Sequence, residues 1–348
     1  MNVPVSIVMP VHNGGAFLSE AIESILGQTF GDFEFIIVDD GSTDNSLAIA
    51  LGYQKKDSRI EIDRHEENKG IVAARNSGLA RARGKYIAWI DSDDVSLPER
   101  IEKQFSFMEG NPAVGVSGAN ALLIDERGRV ISGTRMPETH VMIAWGLCFY
   151  DPIVNSAVMA SREVCRRAGG YRDLAADRAE YFPEDYDLWT RLSHRTQLHN
   201  SQEYLVKLRK HAGNITRTRL ESTLRNSSRI CSTYLRSILA SDIPQTVVDT
   251  LWGVGSSPSL RGIPELLENL CSHFSTWGGS SEQEKTLIRR DASLRLVRMA
   301  MKHPFDAYCL PSLLMALKIE PKLPRYLLGE IFRKPRGSRE GAWEEGSL

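Results

Sequence analysis

Four short apolar runs divide the first hundred residues: Val5–Val11, Phe33–Val38, Ile60–Asp63 and Tyr86–Ile90. Each has the length of a buried strand rather than of a helix. Between them apolar residues recur at helical spacing. In 17–28 these are Phe17, Leu18, Ala21, Ile22, Ile25 and Leu26. Segments 43–56 and the alanine-rich 70–83 read as helices too, and 98–109 follows with Pro98 suited to its first turn. Strands alternating with helices of this length leave one economical solution, a mostly parallel sheet covered on both faces. Ligands of such sheets sit beyond the carboxyl ends of the strands. Two of the runs end there in acids, Asp39-Asp40 and Asp91-Ser92-Asp93-Asp94. The alternation alone therefore places both clusters on one rim.

Beyond residue 114 the pattern loosens. Segments 114–124 and 129–132 read as strands around the turn Asp125-Glu126-Arg127-Gly128, 154–160 and 204–210 as further strands, and 184–193 as a short helix. After Asn214 strand signals fade. Helical periods cover 220–240, 244–251, 264–274, 282–301, 310–317 and 323–332, and a polar tail follows. The expected organisation is an α/β domain over 1–213, a helical region over 214–334 and a flexible tail over 335–348.

Bulk properties exclude several classes. Of 348 residues, 43 are Lys or Arg and 44 are Asp or Glu, so the net charge of −1 lacks the basic surplus of a nucleic-acid binder. No apolar run is long enough to span a bilayer. Met1–Pro10 lacks the basic and apolar regions of a secretory signal, so a cytoplasmic chain is expected. Five scattered cysteines contain no CxxC spacing, which points to neither a zinc site nor a disulfide framework.

Seven segments together resemble the inverting family 2 glycosyltransferases. They are Val5-Ser6-Ile7-Val8-Met9-Pro10-Val11-His12-Asn13, Ser24-Ile25-Leu26-Gly27-Gln28-Thr29-Phe30, Val38-Asp39-Asp40-Gly41-Ser42-Thr43-Asp44, Asn68-Lys69-Gly70, Ala74-Arg75-Asn76-Ser77-Gly78, Asp91-Ser92-Asp93-Asp94 and Glu184-Asp185-Tyr186-Asp187-Leu188-Trp189. The resemblance covers residues 3–213 and leaves the helical region untouched. It implies a GT-A fold and a nucleotide-sugar donor, typically UDP-linked.

Roles follow from chemistry and resemblance jointly. A nucleoside diphosphate beside aspartates needs a divalent cation between them, Mn²⁺ or Mg²⁺, which takes one or two carboxylates plus phosphate oxygens and waters. The family's DxD pattern puts the metal on Asp93, with Asp91 on the ribose or a metal-bound water and Ser92 between them. His211 resembles a late family histidine that coordinates the metal or touches the diphosphate, and Arg209 and Lys210 would help neutralise phosphate. A uracil-binding acid is implied in the Asp39-Asp40 pair. Asp40 is the favoured base contact and Asp39 the loop brace, with which of the two meets the base left open, and a turn and helix cap is a further use compatible with that role. Pro10, Val11, His12 and Asn13 close the first strand on the nucleotide; His12 stands where the family commonly has a stacking Tyr. Arg75 reaches the nucleotide or diphosphate by resemblance, or else forms a scaffold salt bridge. Inverting transfer needs a base for the acceptor hydroxyl. That role falls to Asp185, on one helical face with Leu188 and Trp189, while Glu184 orients a neighbour or the acceptor.

The Q-x-x-R-W signature of processive synthases is absent, so a single addition is expected, to a glycan or lipid-linked saccharide in bacterial surface polysaccharide synthesis. A nucleotide-sugar-binding protein without turnover and a transferase to a polyprenyl phosphate are the alternatives. Across 321–339 six basic residues face one acid, Glu330, beside an apolar set that includes Leu323, Leu327 and Phe332. This is a candidate helix for peripheral association with an anionic membrane face, or one packed on the protein with a solvated basic edge. Sugar, linkage and oligomeric state are not legible.

Overall fold

In the computed structural model Val5–Val11 forms β1, and all of its residues are buried. The structure describes residues 3–174, 180–214, 218–254, 259–277, 279–324 and 326. Alternation continues through α1 (Leu18–Leu26), β2 (Phe33–Asp40), α2 (Ser46–Gln54), β3 (Ile60–His65), α3 (Ile71–Arg81) and β4 (Tyr86–Trp89). β3, β2, β1 and β4 lie side by side in that order, all parallel. α1 buries Leu18, Ala21, Ile22 and Ile25, the face its spacing predicts. These join Ile7, Phe35, Ile37 and Ala88 in the main core.

The sheet then becomes mixed. β5 (Val95–Ser96), α4 (Arg100–Gly110), β6 (Val114–Ile124), β7 (Val130–Gly133), α5 (His140–Gly146), β8 (Met159–Ser161), α6 (Arg162–Arg167), α7 (Glu184–Leu192) and β9 (Gln197–Arg209) complete the set. The full order is β3-β2-β1-β4-β8-β6-β9-β5, with β7 beside β6. β8 runs antiparallel to both β4 and β6, while β9 is parallel to β6. This is the GT-A architecture expected from the sequence.

Three expectations need correction. Segment 154–160 is not one strand: Asn155–Ala157 forms a 3-10 turn and only Met159–Ser161 pairs. Two local bonds, Ala157 N to Val154 O at 2.9 Å and Val158 N to Asn155 O at 3.0 Å, tie the turn. β9 starts seven residues before Tyr204: the polar stretch Asn200-Ser201-Gln202-Glu203 carries no apolar signal, yet Asn200 and Ser201 still pair with Gly118 and Ala119 of β6, and the register shifts before Tyr204. α5 and α6 were not expected; α6 is capped by Ser161, whose Oγ accepts from Val164 N.

Register fixes the rim. Val11 pairs with Asp39, Asp40 with His65, and Val8 with Trp89. The carboxyl ends of β2 and β4 therefore emerge on the same side, with Asp39 and Asp40 in the last pairs of β2 and Asp91 just past those of β4. Gly41, at φ 66°, turns the chain after Asp40. A Cβ there would lie 2.6 Å from Asn68 N and 2.8 Å from Glu67 Cα, both backbone.

The chain divides into two compact units, Met1–Ile143 with Asp151–Leu174 and Pro183–Thr218, and Ala144–Tyr150 with Ala175–Phe182 and Arg219–Leu348. The second is helical: α8 (Leu220–Leu239), α9 (Gln245–Leu251), α10 (Ile263–Thr276), α11 (Glu282–Lys302) and α12 (Cys309–Ile319). Within it Trp145 Nε1 donates to Asp291 Oδ2 at 2.7 Å and Tyr234 Oη to Ala144 O at 3.2 Å. No helix among the described residues is long and apolar enough to cross a membrane. Most of the expected 323–332 helix, most of the basic 321–339 segment and the tail 335–348 lie outside the described residues.

Substituting Gly41 by Ala forces both a left-handed backbone and a backbone overlap, so Gly41→Ala is expected to lose about 1–3 kcal/mol. Urea denaturation of the variant and parent measures this, and equal midpoints would contradict the tight Gly41–Glu67 approach.

Candidate active site

Two adjacent aspartates end β2 and live in opposite circumstances. The Asp40 carboxylate is fully engaged. Oδ1 accepts from Lys69 N at 2.9 Å and meets His65 Nδ1 at 2.6 Å, and Oδ2 accepts from Gly70 N at 2.8 Å. His65 Nε2 in turn meets Ser77 Oγ at 2.9 Å, anchoring the ring on α3. Asp39 is 1% exposed, and neither carboxylate oxygen has a partner. The Asp40 carboxylate is thus engaged by the loop, whereas both Asp39 oxygens are unpaired. Hydrogen bonding rather than burial separates the pair, since both are buried but only Asp40 is clasped by two backbone amides and an imidazole.

The β1 end is lashed to the same loop. Pro10 and Val11 are buried strand residues, and their contribution to the rim is backbone only. His12 Nδ1 donates to Asp40 O at 2.8 Å, leaving Nε2 to accept from Asn68 Nδ2 at 3.0 Å and Asn13 Nδ2 at 3.2 Å. Asn13, at φ 52°, accepts at Oδ1 from Thr43 N at 2.8 Å. Gly14 packs onto Ser92: a Cβ on Gly14 would lie 2.7 Å from Ser92 Oγ.

After β4 the chain turns at Asp91–Asp94, with Asp94 N bonded to Asp91 O at 3.2 Å. Ser156 Oγ accepts from Asp91 N at 3.1 Å. Asp93 Oδ2 meets His211 Nε2 at 2.8 Å and accepts from Asn214 Nδ2 at 3.3 Å. Burial, reinforced by Asp91, raises the Asp93 carboxyl against the opposing pull of His211. Burial also holds Asp94 well above the usual range, where its Oδ1 accepts from Arg209 N at 2.9 Å. Arg209 is engaged by the chain itself. Its buried guanidinium bonds Asp93 O at 3.0 Å and Glu20 Oε2 at 2.6 Å, and lies over the Phe17 ring.

Glu184 and Asp185 begin α7. Glu184 is 0% exposed and forms an ion pair with Arg75, whose Nη2 also reaches Asp91 Oδ1 at 3.2 Å. Arg75 is 5% exposed and lies over the Tyr171 ring at 5.4 Å. It therefore bridges two acids, forming the salt bridge that the scaffold alternative describes. Burial pushes Glu184 up to about 7 against the pull of Arg75. Asp185 is half-buried, and burial raises its pKa too, opposed by Arg75 and assisted by Asp91. Leu188 and Trp189, on its helical face, are fully buried and hold α7 in place.

The expected metal set is only partly assembled. Asp93 and His211 converge, while Asp91 is committed to Arg75; among the described residues no group of three or more His, Cys, Asp or Glu gathers as a metal cage. The 2.8 Å between Asp93 Oδ2 and His211 Nε2 nevertheless suits neighbouring ligands of an octahedral Mg²⁺ or Mn²⁺. Such ligands sit about 3 Å apart when each bond is about 2.1 Å. A two-residue set is chemically sufficient where a diphosphate completes the shell, provided His211 gives up its Nε2 proton.

Four neighbours of the site carried no sequence signal strong enough to single them out: His65, Asp151, Asn155 and Tyr171. Asp151 is held well above the ordinary carboxylate range by burial and by Asp185. Only the turn-forming Asp151-Pro152 and Asn155-Ser156 pairs marked that segment.

A sheet of this order with a DxD turn and an acid-headed helix on one rim defines a GT-A glycosyltransferase architecture. Residues 6–156 match the model of Glycosyl transferase family 2. EpsE of Bacillus subtilis, which carries a glycosyltransferase assignment, is 37% identical over 211 residues, 59% of this chain and 72% of that one. A glycosyltransferase of Methanocaldococcus jannaschii is 35% identical over 210 residues, 59% of this chain and 70% of its own. The chain belongs to glycosyltransferase family 2. Among solved structures, Staphylococcus aureus TarS in complex with UDP-GlcNAc aligns with a TM-score of 0.56 at 17% identity, over 93% of this chain and 92% of that one. The mannosyltransferase PcManGT from Pyrobaculum calidifontis, in complex with GDP-Man and Mn²⁺, aligns at 0.52 and 13% identity, over 91% and 87%. Both likenesses concern the fold.

Removing the cation between Glu184 and Asp91 would leave buried charge uncompensated. Arg75→Met is expected to destabilise the protein by about 3–5 kcal/mol, with most of the loss recovered in Arg75→Met/Glu184→Met. Urea midpoints of the single and double variants give the coupling; independent effects would show that the bridge is not formed.

Proposed function

We propose that the chain transfers one sugar, with inversion, from a UDP-linked donor to a hydroxyl of a glycan or lipid-linked saccharide. The observation that carries this reading is the Arg75 bridge. One guanidinium ties the head of α7 to the DxD turn, so a general base and a diphosphate site are held within the span of a single side chain. TarS bound to UDP-GlcNAc and PcManGT bound to GDP-Man support a nucleotide-sugar donor.

Asp185 takes the proton of the acceptor hydroxyl as that oxygen attacks the anomeric carbon, and the diphosphate departs from the opposite face. Glu184 holds Arg75 and, through it, Asp91. Asp39 accepts the imide N–H of the base, and His12 lies beside it. Asp93 and His211 would hold a divalent cation, Mn²⁺ or Mg²⁺, which supplies charge neutralisation to the leaving diphosphate. Catalytic rather than purely binding behaviour is favoured by Asp185, whose half-buried, burial-raised carboxylate is better suited to proton transfer at neutral pH than an ordinary aspartate.

Asp185→Asn is expected to keep UDP-sugar affinity and lose about 10²–10⁴-fold in kcat. Near-normal turnover would remove Asp185 from the mechanism. Because the base works ionised and its pKa is raised, activity rises with pH through a value above that of an ordinary aspartate. A pH–kcat/KM profile whose acidic limb falls at the ordinary aspartate value would oppose the assignment. Asp39→Asn is expected to weaken UDP binding while Asp40→Asn destabilises the loop; calorimetric titration with UDP and GDP separates the two and tests the choice of base.

A further inference from the structure

Asn155 opens the 3-10 turn that interrupts the expected strand. The turn is gripped from α4 and β4. Gln104 Nε2 donates to Ala157 O at 2.8 Å, Arg100 Nη2 donates to Val158 O at 3.0 Å and to Trp89 O at 2.8 Å. The next residue, Ser156, receives the Asp91 backbone N–H. Asn155 is thus fixed one residue from the first acid of the DxD turn, on a rigid support.

Its side chain is 8% exposed, and neither Nδ2 nor Oδ1 has a hydrogen-bond partner. Among the described residues it is the one buried side-chain amide with both ends unbonded. Burying such a group unpaired costs free energy that an apolar residue of similar size would not incur. Packing alone therefore does not account for an asparagine there, and the folded chain itself does not supply its partners. A carboxamide offers donors and an acceptor side by side. That pair is complementary to two adjacent hydroxyls of a sugar ring, each of which both donates and accepts.

We infer that Asn155 recognises the transferred sugar: its amide binds a vicinal hydroxyl pair on the hexose of the donor. The inference rests on the nucleotide-sugar reading above and adds the residue that discriminates among sugars. A neutral amide reads hydroxyl configuration rather than charge, and a site built to pair a hydroxyl rejects a donor that presents it wrongly.

The test is Asn155→Ala, with Asn155→Leu beside it, titrated with UDP, UDP-glucose, UDP-galactose, UDP-GlcNAc, GDP and GDP-mannose in the presence of Mn²⁺. In the wild type one nucleotide sugar is expected to bind more tightly than its parent nucleotide. In both variants nucleotide affinity stays at the wild-type value, the added sugar-dependent affinity falls by roughly 10–100-fold and the preference between epimers shrinks. The donor KM rises accordingly, while the acceptor KM does not. The melting temperature without ligand stays level or rises, because an unpaired buried amide has been removed. Variants that keep wild-type sugar affinity and epimer preference, or that melt earlier without ligand, would make Asn155 a structural or water-binding residue and overturn the inference alone. A wild type that binds no nucleotide sugar in the panel would remove the donor reading and this assignment with it.

Discussion

The buried guanidinium of Arg75 is the constraint around which this site is arranged. It has almost no contact with water, and it is held by Glu184 on α7 and Asp91 beyond β4. Arg75 and Glu184 lie out of water and are stable only as a pair, since removing one strands the other, while Asp91 joins them from a partly exposed position. The consequence is geometric. The segment that begins the second half of the α/β unit cannot drift from the end of the first half, because their acids share one cation. Tyr171 covers the arrangement from above the guanidinium plane.

A second feature is the contrast between satisfied and unsatisfied polar groups along the rim. Asp40, Asp94 and Arg209 have their bonds filled by the chain itself, and they shape the loops. Asp39 and Asn155 are as deeply buried, yet their polar atoms are unpaired. Buried groups of this kind are rare in folded proteins because each costs stability. That they stand at the carboxyl ends of the strands, where ligands of parallel sheets bind, is the physical reason for reading them as ligand contacts.

Much of the first unit was legible in the residues. Strand and helix order through β4 follows from apolar runs and 3.6-residue spacing, both local properties, and the acids at the ends of β2 and β4 follow from where the runs stop, whereas the two-residue β5 carried no such signal. Less was legible in 151–161, where a turn and a three-residue strand replace one expected strand. Tertiary grip from Gln104 and Arg100 decides that segment, and neither residue is near it in sequence. β9 was underestimated for a related reason, since its pairing with β6 does not require apolar side chains at every position.

By itself the sequence determined the class of fold, the rim on which chemistry happens and the acids that stand there, because period and strand ends are written locally. Which acid the chain itself engages and which keeps unpaired oxygens was decided only by tertiary structure. Asp39 and Asp40 are neighbours of identical chemistry. One meets the amides of Lys69 and Gly70 and the ring of His65, brought from about 30 residues away by β3 and α3, and the other meets nothing. Hydrogen-bond satisfaction depends on groups that only folding brings together, so no reading of the pair alone could have assigned the roles.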